Sequence, residues 1–167
     1  TKPLEGIKVI EISTIITASL SAMMLSDQGA EVIKIEQTGF GDPLRYLGTQ
    51  KGGISAIFAN TNRGKKSIEL DLKTESDLEQ AKKLISEADV LINNFRPGVM
   101  DSLGLGKEDC RTLNKNLIYV AITGFGKEGP YANAPAYDHV VQAMSGSTAI
   151  QADEDKPKYI KTLLCDK

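Results

Sequence analysis

Chemistry in this chain must come from few reactive side chains. There is one histidine, His139, and there are two cysteines, Cys110 and Cys165. Any Ser-His-Asp or Cys-His arrangement has to use His139. It lies in Ala136-Tyr137-Asp138-His139, where a helix is expected to start, so a surface histidine of a first turn is the simpler reading. Asp138 is suited to cap that helix. The cysteines form no CxxC pair and have no histidine at ligand spacing, so no metal site is expected. Both read as core residues rather than nucleophiles. Nothing in their spacing asks for a disulfide, which fits a reducing, cytoplasmic compartment.

Two further segments stand out. Asp166 ends the apolar run Leu163-Leu164-Cys165. A carboxylate partly buried at a helix start would be kept ionised by the helix N-terminus and reactive by poor hydration. That suits a nucleophile that forms covalent intermediates with activated acyl groups. An ordinary helix cap is the alternative, and the local sequence leaves both open. In Asn94-Phe95-Arg96-Pro97-Gly98, Phe offers a flat apolar face, Arg a bidentate phosphate donor and Pro-Gly a tight turn. The segment could hold the base and phosphates of a nucleotide-like ligand, or be a turn with a buried Phe and a solvated Arg.

The commoner nucleotide signatures are missing. The first strand runs into Ser13-Thr14-Ile15-Ile16-Thr17-Ala18 without a glycine, which weighs against NAD or FAD. Gly64-Lys65-Lys66-Ser67 lacks the leading glycine of a P-loop and precedes a strand.

The elements that must position these residues alternate strand with helix. Strands are expected at Ile7–Ile12, Ala30–Glu36, Lys66–Leu72, Asp89–Asn93 and Leu117–Thr123. Helices are expected at Thr17–Gln28, Ile54–Thr61, Glu75–Glu87, Val99–Leu103, Lys107–Leu113 and Tyr137–Met144. Thr74 with Asp77 three residues on has the spacing of a helix capping box. The pattern implies crossover units and an α/β, doubly wound, mostly parallel sheet of Rossmann-like architecture. In such a sheet ligands sit beyond the carboxyl ends of the strands. Four loops leave those ends: Ser13–Thr17, Gln37–Arg45, Asn94–Gly98 and Gly124–Asp138.

Composition narrows the classes. Of 167 residues, 41% are hydrophobic and 25% charged, which excludes disorder and low complexity. A net charge of −2 gives no global basic field, so no nucleic-acid partner is expected; a small basic patch at Arg63, Lys65 and Lys66 remains open. The most apolar stretch, Ile15–Leu25, is broken by Thr17, Ser19 and Ser21, so no membrane span is expected. Thr1–Ile12 reads as a turn running into a strand rather than as a leader.

Taken in order, the segments PLEGIKVIEI, GAEVIKIE, GDPLR, NRGKKSIELDLK, ADVLINNFRPGVMDSLGL, ITGFGKEGPY, PAYDHVVQAMSG and LLCD resemble the class III CoA-transferases. That group includes formyl-CoA transferase, carnitine CoA-transferases and α-methylacyl-CoA racemase. The resemblance runs from Pro3 to Asp166. It implies a CoA-binding α/β domain, coenzyme A or acyl-CoA with carboxylic acids as substrates, and Asp166 as a covalent nucleophile.

The resemblance also assigns contacts to CoA. Ile16 and Thr17 match backbone that approaches the ligand. Gln37 stands where relatives carry an Arg. Leu70, Asp71, Leu72 and Lys73 match the stretch at the adenosine end, and Asn94, Phe95 and Arg96 the loop near the phosphates and base. Ser102 replaces an Arg of relatives, a loss that Arg96 is expected to offset. Pro135, Ala136, Tyr137 and Asp138 match the segment near the thioester. The racemase branch needs a histidine at the position of Tyr137, so transferase is favoured. A non-catalytic CoA-binding module is the alternative.

Relatives of this kind are more than twice as long and form interlocked homodimers. The resemblance therefore implies that residues 1–167 are the N-terminal part of the large CoA-binding domain, with the small domain and the C-terminal return segment absent. Such a piece is expected to be inactive alone, the parent to be a dimer, and the compartment to be cytoplasmic.

Overall fold

The computed structural model describes residues 1–154 and 156–166. The chain divides into two compact units, Thr1–Ile122 and Thr123–Lys167.

Unit 1 is built on a five-stranded sheet. Its strands are β1 (Lys8–Ile12), β2 (Glu31–Glu36), β5 (Lys66–Glu69), β6 (Val90–Asn93) and β7 (Ile118–Ala121). A short antiparallel hairpin, β3 (Gln50–Lys51) and β4 (Ile54–Ser55), stands apart from it. The large sheet has the order β5-β2-β1-β6-β7, and every pairing in it is parallel. The helices of this unit are α1 (Thr17–Asp27), α2 (Ala56–Asn62), α3 (Glu75–Ser86), α4 (Val99–Ser102) and α5 (Lys107–Leu113). The expected α/β, doubly wound architecture is thus observed.

Strand alternation sorts the core into two layers. Ile10, Ile12, Ile35 and Leu91 pack with Ala81 and Ile85 of α3, Met100 of α4 and Cys110 of α5. Val9, Val32 and Ile92 pack with Ala18 and Ala22 of α1. Both faces of the central strands are covered, so burial runs through consecutive residues, Val9 to Ile12 in β1 and Leu91 to Asn93 in β6, and takes in the charged Glu11 and Lys34. The buried residues of α1 are Ala18, Ser19, Ala22, Met23 and Ser26, four of them small, and Ala18 and Ala22 pack on the sheet.

The topology fixes where a ligand site can form. The chain steps from β1 outward to β2 and β5, then returns to place β6 on the other side of β1. The loops leaving the carboxyl ends of β1 and β6 therefore diverge at a switch point, the usual crevice of open α/β sheets.

Unit 2 contains α6 (Asp138–Met144), α7 (Ser147–Ile150) and one antiparallel bridge between Asp153 and Lys156.

Some expectations are corrected. Thr74 occupies the N-cap of α3, but its side chain makes no cap bond. Its hydroxyl donates to the Asp71 carbonyl, and the Asp77 carboxylate accepts the Asp71 N–H, so the pair closes the preceding turn instead. The β3–β4 hairpin, the 3-10 turn Pro43–Tyr46 and α7 are too short to show a period in sequence.

Candidate functional site

The switch point in unit 1 is anchored by a buried charge cluster. Glu11 and Lys34 face each other in the β1–β2 register, and both are buried. The Lys34 ammonium donates to Glu11 Oε1 at 2.6 Å and to Ser19 Oγ at 2.9 Å, and forms an ion pair with Asp42 Oδ2 at 2.9 Å. Lys65 reaches the second Glu11 oxygen at 2.6 Å and donates to the Ser19 carbonyl at 2.7 Å. Burial would raise the Glu11 pKa, but the two ammonium groups override it and hold the carboxyl below its usual range. Burial pulls Lys65 down to about 8 against the attraction of Glu11.

Beside this cluster lies the β1–α1 loop. The side-chain amide of Asn94, directly after β6, brackets Thr14: Oδ1 accepts the Thr14 N–H at 3.1 Å, and Nδ2 donates to the Thr14 carbonyl at 2.7 Å. The next peptide N–H, from Ile15, donates to Asp42 Oδ1 at 3.0 Å. Between these anchors Ile15 has φ +66°, a left-handed conformation rare for a β-branched residue. Ile16 is the N-cap of α1 and makes no side-chain cap bond.

The other expected contacts of unit 1 fall as follows. Ile16 is buried and Thr17 half-buried at the α1 start. Gln37 is exposed, and its carbonyl accepts the Gly41 N–H at 2.8 Å. Leu70 and Leu72 turn into the core, whereas Asp71 is half-buried and Lys73 exposed. Phe95 packs against the core and Arg96 is exposed. The Ser102 hydroxyl bonds back to the Val99 carbonyl of its own helix at 2.7 Å. The basic patch does not survive as free charge: Arg63 pairs with Asp27, Lys65 is buried on Glu11, and Lys66 pairs with Glu31.

Unit 2 carries the candidate nucleophile. Asp166 is half-buried in a turn. Asp138 is not a cap. It is the first residue of α6, and its carboxylate points at the 160–166 segment. Oδ1 accepts the N–H of Cys165 at 2.6 Å and of Asp166 at 3.4 Å. Oδ2 accepts from Gln142 Nε2 at 2.6 Å, one helical turn on. Gln142 is buried and accepts the Ile160 N–H at 2.9 Å.

The two carboxyls are set differently. Burial raises the Asp138 pKa, but the peptide N–H of Cys165, the Gln142 amide and the Asp166 N–H overcome this and hold it low. Burial, and then the nearby Asp138 charge, push Asp166 up. The geometry thus gives one fixed carboxylate that binds peptide N–H groups and one poorly hydrated carboxylate beside it.

Pro135, Ala136 and Tyr137 are exposed ahead of α6. Tyr137 stacks on His139, ring centroids 6.0 Å apart and nearly parallel. His139 is the exposed first-turn residue that the sequence suggests. Cys110 is buried and its thiol pushed up to about 11, and burial also raises Cys165, so neither is a ready thiolate. Among the described residues no group of acidic, His or Cys side chains is arranged to hold a metal, and no helix is long and apolar enough to cross a membrane.

Glu11, Lys34, Asp42 and Gln142 escape a motif-based reading. The first two leave a signal: a Glu in KVIEI and a Lys in EVIKIE, opposite charges inside buried strands, fall in the same register. Gln142 leaves none.

Comparison with known proteins extends these observations. The family model described as CoA-transferase family III matches residues 4–167. An acetyl-CoA:oxalate CoA-transferase of Acetobacter aceti is 44% identical over 93% of the chain and 40% of that protein. A succinate–glutarate CoA-transferase of Agrobacterium fabrum is 42% identical over 92% of the chain and 40% of that protein. A crystal structure of a CAIB/BAIF family protein from Brucella suis superposes with a TM-score of 0.92 at 38% identity, covering 99% of the chain and 45% of that one. The chain spans about 40% of the length of the curated relatives it matches.

Proposed function

The chain belongs to CoA-transferase family III, and on that premise we propose that its protein moves CoA from an acyl-CoA thioester to a carboxylic acid through Asp166. The observation that carries this reading is the pair of carboxyls in unit 2. Asp166 is half-buried and biased toward weaker acidity, while the Asp138 carboxylate binds the Cys165 and Asp166 peptide N–H groups and fixes that backbone.

The proposed chemistry balances without a cofactor. A carboxylate oxygen of Asp166 attacks the thioester carbonyl, the C–S bond breaks, and CoA leaves as the thiolate. The product is a mixed anhydride between Asp166 and the donor acyl group. The thiolate attacks the Asp166 carbonyl and expels the donor acid as its carboxylate. The aspartyl-CoA thioester then meets the acceptor carboxylate, and the same two steps run in reverse order of partners. Covalent storage keeps the activated acyl group from water.

CoA itself is assigned to the unit 1 loops: the backbone of Ile16 and Thr17, the stretch Leu70 to Lys73, and Asn94 to Arg96. Leu70, Leu72 and Phe95 support those loops from the core side. Arg96, exposed at the loop, is suited to the phosphates. Tyr137 stands where the racemase branch needs a histidine, which supports transfer over racemisation. The family resemblance further implies an interlocked homodimer.

The test is Asp166→Ala in the full-length protein, assayed for CoA transfer from a panel of acyl-CoA donors to dicarboxylates. Loss of at least about 10³-fold in kcat is expected for a missing nucleophile. Transfer that survives the substitution removes Asp166 from the mechanism.

A further inference from the structure

We infer that Gln142 is a positioning residue for transfer at Asp166: its side-chain amide ties the 160–162 backbone to the Asp138 carboxylate, and so presents the nucleophile from a fixed turn. The inference deepens the Asp166 reading above and rests on it.

The backbone that leads to Asp166 runs back over α7 and α6. The Lys158 N–H donates to the Thr148 carbonyl at 3.0 Å, the Ile160 N–H to Gln142 Oε1 at 2.9 Å, and the Cys165 N–H to Asp138 Oδ1 at 2.6 Å. As the segment advances, its anchors step backward through positions 148, 142 and 138. Gln142 is the middle anchor, and it touches both the segment and the Asp138 carboxylate.

Its amide is engaged at both ends. Oε1 accepts the Ile160 N–H, and Nε2 donates to Asp138 Oδ2 at 2.6 Å. The same nitrogen lies 3.4 Å from the Ile160 carbonyl oxygen and 3.3 Å from that of Thr162. Those two carbonyls close successive tight turns. The Thr162 N–H donates to the Ile160 carbonyl at 2.8 Å, and the Leu164 N–H to the Thr162 carbonyl at 3.0 Å. One amide thus grips the turns that lead to Asp166 and the carboxylate that fastens their far end.

The residue type is not interchangeable. Gln142 is buried, so a donor or acceptor left unmet there carries a desolvation cost. Its N–H groups face a carboxylate and its carbonyl faces an N–H, which leaves the amide one workable orientation. A methionine keeps the length and loses both contacts. A glutamate keeps the acceptor for Ile160 but sets a second carboxylate against Asp138. Only when protonated can it donate as the amide does. Asp138 also faces Cys165 and Asp166 on the segment and His139 on α6, titratable groups that both variants leave in place.

The test uses the full-length protein, with CoA transfer and amide hydrogen exchange as readouts. In Gln142→Met, exchange of the Ile160 and Cys165 amides is expected to speed at least about tenfold. The kcat is expected to fall on the order of 10²-fold while KM for the acyl-CoA stays within about threefold, because substrate still binds but meets a loosely held nucleophile. In Gln142→Glu, kcat relative to the unsubstituted protein is expected to rise at least about tenfold from about pH 8 to about pH 5.5, as a shared proton restores the link to Asp138. If Gln142→Met does not fold, the pH dependence of Gln142→Glu decides alone. A ratio that is flat across this range, or an untouched kcat in Gln142→Met despite faster exchange, overturns the positioning role. Unchanged exchange overturns the clamp itself. If Asp166→Ala leaves transfer intact, the nucleophile reading falls and this purpose of Gln142 with it, while exchange still decides whether Gln142 holds the segment.

Discussion

Asp138 Oδ1 accepts the peptide N–H of Cys165 at 2.6 Å and that of Asp166 at 3.4 Å. A carboxylate at the first residue of α6 thereby fixes the backbone of a second carboxylate far along the chain. The arrangement explains why the two differ. Hydrogen bonding holds the Asp138 carboxyl low, and burial next to that charge makes Asp166 a weaker acid.

Removing that anchor is expected to damage turnover. Asp138→Ala frees the 165–166 backbone, and a displaced nucleophile loses on the order of 10²-fold in kcat. Asp138→Asn is not a conservative repair. Gln142 Nε2 already donates to Oδ2, so an amide there sets a donor against a donor unless Oδ1 gives up Cys165. Steady-state kinetics of both variants check this: a fall in kcat with KM little changed is predicted, and kcat unchanged in Asp138→Ala would refute it.

The Lys34 cluster is predicted to be a point of high structural sensitivity. Lys34→Met leaves Glu11 facing Lys65 alone and removes the ammonium from Asp42. Breaking a buried ion pair by deleting one partner costs about 3–5 kcal/mol. Urea unfolding measured at constant pH should show a loss of that order. A loss within about 0.5 kcal/mol, typical of surface changes, would mean that the cluster is not coupled to stability.

Acid should weaken unit 1 through Glu36. Burial raises its pKa, but hydrogen bonds from Arg45, Ser67 and the Asp42 N–H outweigh this and lower it from 4.5 to about 2. A carboxyl depressed in the folded state contributes stability above its unfolded pKa and loses it as pH falls through the folded value. The contribution should therefore drain away between about pH 4.5 and 2. Melting temperatures taken across that window should fall, and Glu36→Gln should flatten the Glu36 part of the slope. An unaltered slope in the variant would assign the acid sensitivity elsewhere.

The sheet was readable in the chain because alternation and runs such as KVIEI, EVIKIE and VLIN report burial directly. The site was less so. Asp166 stands out only as a carboxylate after an apolar run, and its environment is a turn braced by Asp138. The contact between positions 138 and 165 depends on how unit 2 folds back on itself, which no local period records. Ile15 is the sharper case. Its residue type argues against positive φ, and only the distant partners Asn94 and Asp42 reveal why it adopts it.

The central claim is that Asp166 carries the transferring group. Full-length protein incubated with an acyl-CoA donor and no acceptor, then quenched, digested and analysed by mass spectrometry, tests it most directly. The account predicts a hydroxylamine-sensitive adduct, acyl or CoA, on the peptide containing Asp166, absent in Asp166→Ala. An adduct on another residue, or full turnover with no adduct on that peptide, would contradict it.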